Sequence, residues 1–153
     1  MQIWIDADAC PNAIRDILVR AAERTHTPLT LVAGRPVPTP RSRWVRAAVV
    51  SNGIDAADDA IIDRMQCGDL VVTADIPLAA RVVAEGGTAL NPRGDFYTEE
   101  NIRERLAIRH LMTRLRDSGE VSGGPPPLGN VERQAFANAL DRFLAKQQRG
   151  QQQ

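Results

Sequence analysis

Short apolar runs alternate along the chain with segments whose apolar positions recur every three or four residues, the pattern of strands joined by crossover helices. Residues 2 to 6 read as a first strand. Pro11 suits the first turn of a helix running to about Thr25, with Ile14, Leu18, Ala21 and Ala22 on its inner face. Leu29 to Ala33 reads as a second strand, and a loop punctuated by Pro36, Pro38 and Pro40 leads to a third, Val45 to Val50. Asp55 to Met65 has a helical pattern, Leu70 to Thr73 is a short buried strand, Pro77 to Glu85 is helical, and Thr88 to Leu90 forms a fifth strand. The expected fold class is α/β, with about five parallel strands and three crossover helices.

The last third differs in character. Thr98 can cap a helix whose first turn carries Glu99 and Glu100. In it, Ile108, Leu111, Met112 and Leu115 fall at i, i+3, i+4 and i+7, which predicts one face packed on the domain. Ser118 to Asn130, with Gly123, Gly124 and three consecutive prolines, reads as a connector. Phe136, Leu140, Phe143 and Leu144 then mark the buried stripe of a final helix. Residues 1–146 are expected to form one domain including these C-terminal helices, and the Gln-rich residues 147–153 a disordered tail.

Composition narrows the functional classes. With 153 residues and 43% hydrophobic residues the chain can bury one sizeable core. Basic and acidic side chains balance at 19 each, so only their distribution can point to a partner. No run approaches the roughly 20 apolar residues of a membrane helix, and the start MQIWID resembles a strand rather than a leader, so a cytoplasmic protein is expected. Cys10 and Cys67 are the only cysteines, which argues against a disulfide framework or a structural zinc site.

The candidate chemistry lies in the acids. Asp6 and Asp8 stand at the end of strand one, Asp55, Asp58 and Asp59 open a helix, and Asp75 follows strand four. In an open parallel sheet ligands bind beyond the carboxyl ends of the strands, so Asp6 and Asp75 are expected to converge. Asp55 precedes Asp58 and Asp59 by three and four residues, so at least two of the three share a helical face. Carboxylates brought together need protons or cations, and an all-oxygen set favours Mg²⁺ or Mn²⁺ over zinc. Such ions activate water and support in-line phosphoryl displacement. The competing reading is helix capping, since aspartate commonly caps first turns. Asp58, Asp59 and Asp63 also suit a solvated face, and Asp69 a turn before its strand.

The strings IWIDADACPNAIRDIL, GIDAADDAIIDRM, GDLVVTADIPLAARVV and ALNPRG, then GGPPP and RQAFANALDRFL, resemble the bacterial YaiI/YqxD family over nearly the whole chain. That family is grouped by fold with PIN-like domains, the Rossmann-like fold of metal-dependent ribonucleases. The resemblance implies a single PIN-like domain and a Mg²⁺- or Mn²⁺-dependent nuclease acting on RNA. Asp6, the Asp55 to Asp59 group and Asp75 match the acidic positions of such nucleases, implying Asp6, Asp59 and Asp75 as catalytic. Asp6, Asp8, Asp55, Asp58, Asp59 and Asp75 are the candidate metal ligands. The chain departs from the pattern in one respect: residues 24 to 54 contain no acid where PIN domains usually carry one.

A strand followed by Asp-x-Asp also resembles haloacid-dehalogenase phosphatases, with Asp6 as nucleophile, although the chain's only lysine is Lys146, near its end. A third reading is a nucleic-acid or protein-binding module without turnover. Cys10 precedes a helix start, but neighbouring acids oppose its thiolate and favour a spectator thiol. His26 and His110 read as surface or packing residues. Arg35, Arg41, Arg43 and Arg46 surround Trp44 in the acid-free stretch. Arg41 and Arg43 are candidate phosphate contacts and Trp44 a candidate platform for an unpaired base of single-stranded RNA. Alternatively, Trp44 covers the core and the arginines are solvated. Arg93, after strand five, is a candidate for phosphate contact or for bracing the aspartates.

Overall fold

A computed structural model describes residues 1–51, 53–119 and 127–151. Five parallel strands, β1 (Ile3–Asp6), β2 (Leu29–Ala33), β3 (Val45–Val49), β4 (Leu70–Val72) and β5 (Thr88–Leu90), lie in the order β3-β2-β1-β4-β5. Helices α1 (Asn12–Thr25), α2 (Ala56–Arg64) and α3 (Ile76–Ala84) make the expected crossovers. Helices α4 (Glu99–Asp117) and α5 (Asn130–Gln151) follow the sheet.

Alternation along the buried strands builds two cores. Ile3, Ile5, Leu29, Leu31, Leu70, Val72 and Leu90 face one way, against Ile14 and Leu18 of α1 and Phe136, Leu140 and Leu144 of α5. Trp4, Val32, Val71 and Ala89 face the other, against Ile61 of α2, Leu78 and Val82 of α3 and Ile102 of α4. Both sheet faces are covered, as all-parallel strands require. The strand order reverses at β1, which has β2 on one side and β4 on the other, so the C-terminal ends of β1 and β4 flank a topological switch point.

Three local devices fix this arrangement. Asp69, 3% exposed, accepts from Gln2 N, Trp4 Nε1 and Gln66 N, each at 3.0 Å, and so pins the starts of β1 and β4 together. Thr98 and Asn101 form a reciprocal capping box at the start of α4. Gly94 has φ +97°, and a Cβ there would sit 2.8 Å from the Ala135 backbone. Glycine therefore lets the loop after β5 approach α5 directly.

The C-terminal helices depart from expectation twice. Of the described α4 residues only Ile102 is buried, while Ile108 and Leu111 are 60% and 51% exposed. Met112 and Leu115 of the predicted stripe are half-buried, so the stripe is covered only in part rather than packed on the domain as a whole face. Helix α5 continues through Gln151, so residues 147–151, expected to be disordered, extend it. Gln and Lys are good helix formers, and Gln148 Nε2 donates to Thr25 O at 3.4 Å, tying this turn to the end of α1. The connector is described only at its two ends, and residues 120–126, with Gly123, Gly124 and the three prolines, lie outside the described residues.

Candidate functional site

The parallel register carries Asp6 and Asp75 to one rim. Ile5 pairs with Val72, so Asp6 stands level with Thr73 and Asp75 follows two residues later. Asp6 Oδ1 accepts from Asp8 N at 3.1 Å, turning the chain sharply after β1. Thr73 Oγ1 accepts from Asp75 N at 2.9 Å, and Asp75 Oδ1 accepts from Leu78 N at 3.0 Å as the N-cap of α3. Asp75 thus performs the capping role, and its charge also reaches Asp6 and Asp58.

Asp58 belongs to the same electrostatic cluster. Burial, then the charges of Asp75, Asp6 and Asp55, push its carboxyl up to about 6, with Arg81 opposing. Asp6 is also held above its ordinary value, by burial first and then by the charges of Asp8 and Asp75. The amides of Asp8 and Ala9 hydrogen-bond to it and pull the other way. Asp55, exposed and left-handed at φ 60°, precedes α2 without a side-chain cap bond.

The other acids are directed elsewhere. Asp59 Oδ1 accepts from Arg81 Nη1 at 2.8 Å on the outside of α2 and α3. Asp8 Oδ2 accepts from Gly34 N at 2.8 Å, closing the end of β2. Among the described residues, no three His, Cys, Asp or Glu side chains stand close enough as placed to form a metal-binding group. The donors, all oxygen, suit a hard divalent cation by chemistry, but they do not already form a closed shell.

A buried network that sequence reasoning missed holds the rim. Tyr97 Oη accepts from Asn91 Nδ2 at 2.8 Å and donates to Thr73 O at 3.1 Å, while Asn91 Oδ1 accepts from Arg93 N at 2.8 Å. Thr73 therefore links this network to the amide of Asp75. The available sequence signal was the polar turn Asn-Pro-Arg-Gly directly after a buried strand. Arg93 Nη1 lies 3.7 Å from Glu132 Oε1, so this arginine braces the loop against α5. Cys10 lies beside the rim, and burial pushes its thiol up to about 12, which disfavours the reactive thiolate.

Arg41, Arg43 and Trp44 lie elsewhere. They precede β3 and therefore sit toward the N-terminal edge of the parallel sheet, opposite the aspartates. His26, left-handed at the end of α1, stacks on Trp44 with ring centroids 4.9 Å apart, and the Arg43 guanidinium lies 5.2 Å from the indole centroid. Trp44 has intermediate burial and joins His26 and Arg43 in lining an open groove of about 600 Å³.

Residues 4–146 match the family model described as "Uncharacterized BCR, YaiI/YqxD family". The chain belongs to the YaiI/YqxD family. A UPF0178 protein of Aromatoleum aromaticum is 60% identical over 146 residues, covering 95% of this chain and 97% of the relative. Those of Thioalkalivibrio sulfidiphilus and Hahella chejuensis are 59% and 56% identical over 146 residues, covering 95% of this chain and 99% and 97% of the relatives. No solved structure matches this YaiI/YqxD chain. Among the described residues, no helix is long and apolar enough to cross a membrane.

Proposed function

We propose that this chain is a Mg²⁺- or Mn²⁺-dependent hydrolase of phosphodiester bonds in RNA, with Asp6, Asp58 and Asp75 as its central carboxylates. The observation that carries the reading is the placement of Asp6 and Asp75 on one rim where the strand order reverses, with burial and neighbouring charge raising Asp6 and Asp58 there. Structural capping explains one bond of Asp75 but does not explain the gathering of charge from Asp75, Asp6 and Asp55 on Asp58.

A divalent ion, when bound, supplies an activated water and charge stabilisation at phosphorus. Asp6 and Asp75 offer oxygens from the ends of adjacent strands, while Asp58 brings a third carboxylate across from α2. Asp55 supplies negative charge at the mouth. Asp8 and Asp59 serve the fold, through Gly34 and Arg81, and leave the central set. The PIN-like resemblance fits Asp6, Asp75 and one acid of the Asp55 to Asp59 group, and here Asp58 takes the role that the sequence reading gave to Asp59.

The test is cleavage of a labelled single-stranded RNA with Mn²⁺ or Mg²⁺. Asp6→Asn and Asp75→Asn are expected to lose cleavage while retaining the circular-dichroism spectrum and cooperative melt of the parent. Cleavage surviving in both folded variants overturns the assignment. Release of inorganic phosphate from small monoesters, with an aspartyl-phosphate trapped on Asp6, would instead establish phosphatase chemistry.

A further inference from the structure

Helices α1 and α5 lie side by side and enclose an open groove of about 490 Å³ on the side away from the sheet. Ala21 and Ala137 form part of its floor, so the helix backbones need not be masked by large side chains. Arg20, Arg24 and Arg133 line its walls against one carboxylate, Asp141, while Asn130 and Gln134 add neutral polar groups. In a chain with zero formal net charge, this is a local concentration of positive charge. Arg20 and Arg24 stand one helical turn apart, about 6 Å along α1. Arg133 and Asp141 are eight positions apart on α5, about 12 Å. The lining is therefore elongated, unlike the enclosed, mostly apolar pocket that suits a compact small ligand.

We infer that this groove binds the sugar–phosphate backbone of single-stranded RNA, an inference that rests on the phosphodiester reading for the identity of the polyanion. Arginine provides planar forks for phosphate oxygens. Existing contacts orient these forks: Arg24 Nη2 lies 2.7 Å from Asp141 Oδ1, with both side chains more than half exposed, and Arg133 donates to Asn130 Oδ1. Such an exposed ion pair is weak enough for an arriving phosphate to compete. The positive end of α5 adds to the field at the Asn130 end of the groove.

One end of the groove lies close to the loop that borders the carboxylate rim, where Gly94 meets the Ala135 backbone. Pro92 lines a small cleft with Asp6, Arg93 beside it reaches Glu132, and the following residue, Arg133, enters the groove. RNA held here can lead its backbone toward Asp6 and Asp75. The basic loop at Arg41 and Arg43, near the Arg24 end of the groove through the stack of Trp44 on His26, is the competing phosphate site.

The test uses the full-length chain in chelator, where binding is read apart from metal-dependent cleavage. Fluorescence anisotropy of a labelled oligouridylate across a salt series compares the parent, Arg20→Gln/Arg133→Gln and Arg41→Gln/Arg43→Gln. The groove variant is expected to bind at least tenfold more weakly and to lose about 1.4 from the log–log salt slope, the value for two released contacts on a single strand. A loss of affinity and slope confined to the loop variant assigns the contacts to Arg41 and Arg43 and overturns the groove. Unchanged affinity and slope in a folded groove variant overturn the proposal, as does failure of the parent to bind. Displacement of the RNA by polyglutamate as readily as by unlabelled RNA also overturns it. If groove-dependent binding occurs but the parent never cleaves RNA with metal, the groove stands and the hydrolase reading falls. If the parent cleaves RNA while the groove variant binds normally, only the groove falls.

Discussion

Arg81 Nη1 holds Asp59 Oδ1 at 2.8 Å, and this exposed bridge from α3 to α2 sets the contacts of Asp59 apart from those of its neighbour Asp58. Asp58 feels the charges of Asp75, Asp6 and Asp55. Asp58→Asn is expected to lower metal-dependent RNA cleavage by at least 100-fold, whereas Asp59→Asn retains it within a few-fold. The latter should cost no more than about 1 kcal/mol of stability, the upper range for an exposed pair. Initial rates and urea melts of both variants provide the check. Equal loss of activity in the two variants would contradict this separation.

Periodicity grouped Asp55 with Asp58 or Asp59 on one helical face, but Asp55 stands left-handed before α2, and the spacing contained no information about Arg81, more than twenty residues later, which pairs with Asp59. The strand ends were more legible. Ile-Trp-Ile-Asp and Leu-Val-Val-Thr-Ala-Asp fix both burial and the rim on which Asp6 and Asp75 lie, because parallel strands end on the same side. That same rule separates Trp44 from the aspartates, since it precedes its strand. Stripe periodicity in α4 grouped Ile108 with Leu111 and could not say whether anything covered them. The groove arginines escaped notice because α1 and α5 are brought together only by their shared sheet face, more than a hundred residues apart in sequence.

Asp58 also sets a pH dependence of stability. Its folded carboxyl titrates at about 6, above the ordinary 3.8, so the native state holds this proton more tightly than the unfolded chain. Below both values the group contributes no difference. As pH rises from about 4 to about 6, the unfolded chain releases the proton first and native stability falls; above that window the penalty persists. Because the side chain is only partly buried, solvent screening limits the expected penalty to the order of 1 kcal/mol. In chelator, Asp58→Asn should gain stability over the parent at pH 7.5 and lose that advantage at pH 4. Urea melts showing the same difference at both pH values would contradict it.

At the opposite edge of the sheet, Asp69 works as a clasp for backbone and indole donors. Asp69→Ala would leave Gln2 N, Trp4 Nε1 and Gln66 N without their acceptor in a site only 3% exposed. A loss of about 3 kcal/mol or more is expected, since even one buried unsatisfied polar group costs about 1–3 kcal/mol. Ile108→Ser, on the exposed side of α4, should change stability by no more than about 0.5 kcal/mol. Chemical denaturation of the two variants gives the comparison directly, and a large loss for Ile108→Ser would show that its face is covered in solution.

Metal linkage distinguishes the central carboxylates from aspartates that only cap or brace. A divalent ion that binds the native site alone stabilises the fold by about 2.7 kcal/mol at 100 times its dissociation constant, or roughly 5 to 10 °C in melting temperature for a domain near this size. The parent should show this rise on transfer from chelator to Mn²⁺. In Asp75→Asn the metal-free protein loses repulsion from Asp6 and Asp58 while asparagine can still cap Leu78 N, so its chelator melt should match or exceed the parent's. Its gain on adding Mn²⁺ should shrink by at least half. Asp59→Asn breaks the bridge to Arg81, so its chelator melt should fall slightly, but its metal-induced gain should remain. Capping alone predicts another pattern: no Mn²⁺ response in the parent and no metal-specific difference between the variants. Melts of all three proteins in both conditions therefore decide the assignment, and a parent that melts at one temperature in chelator and in saturating Mn²⁺ removes the metal site from the mechanism.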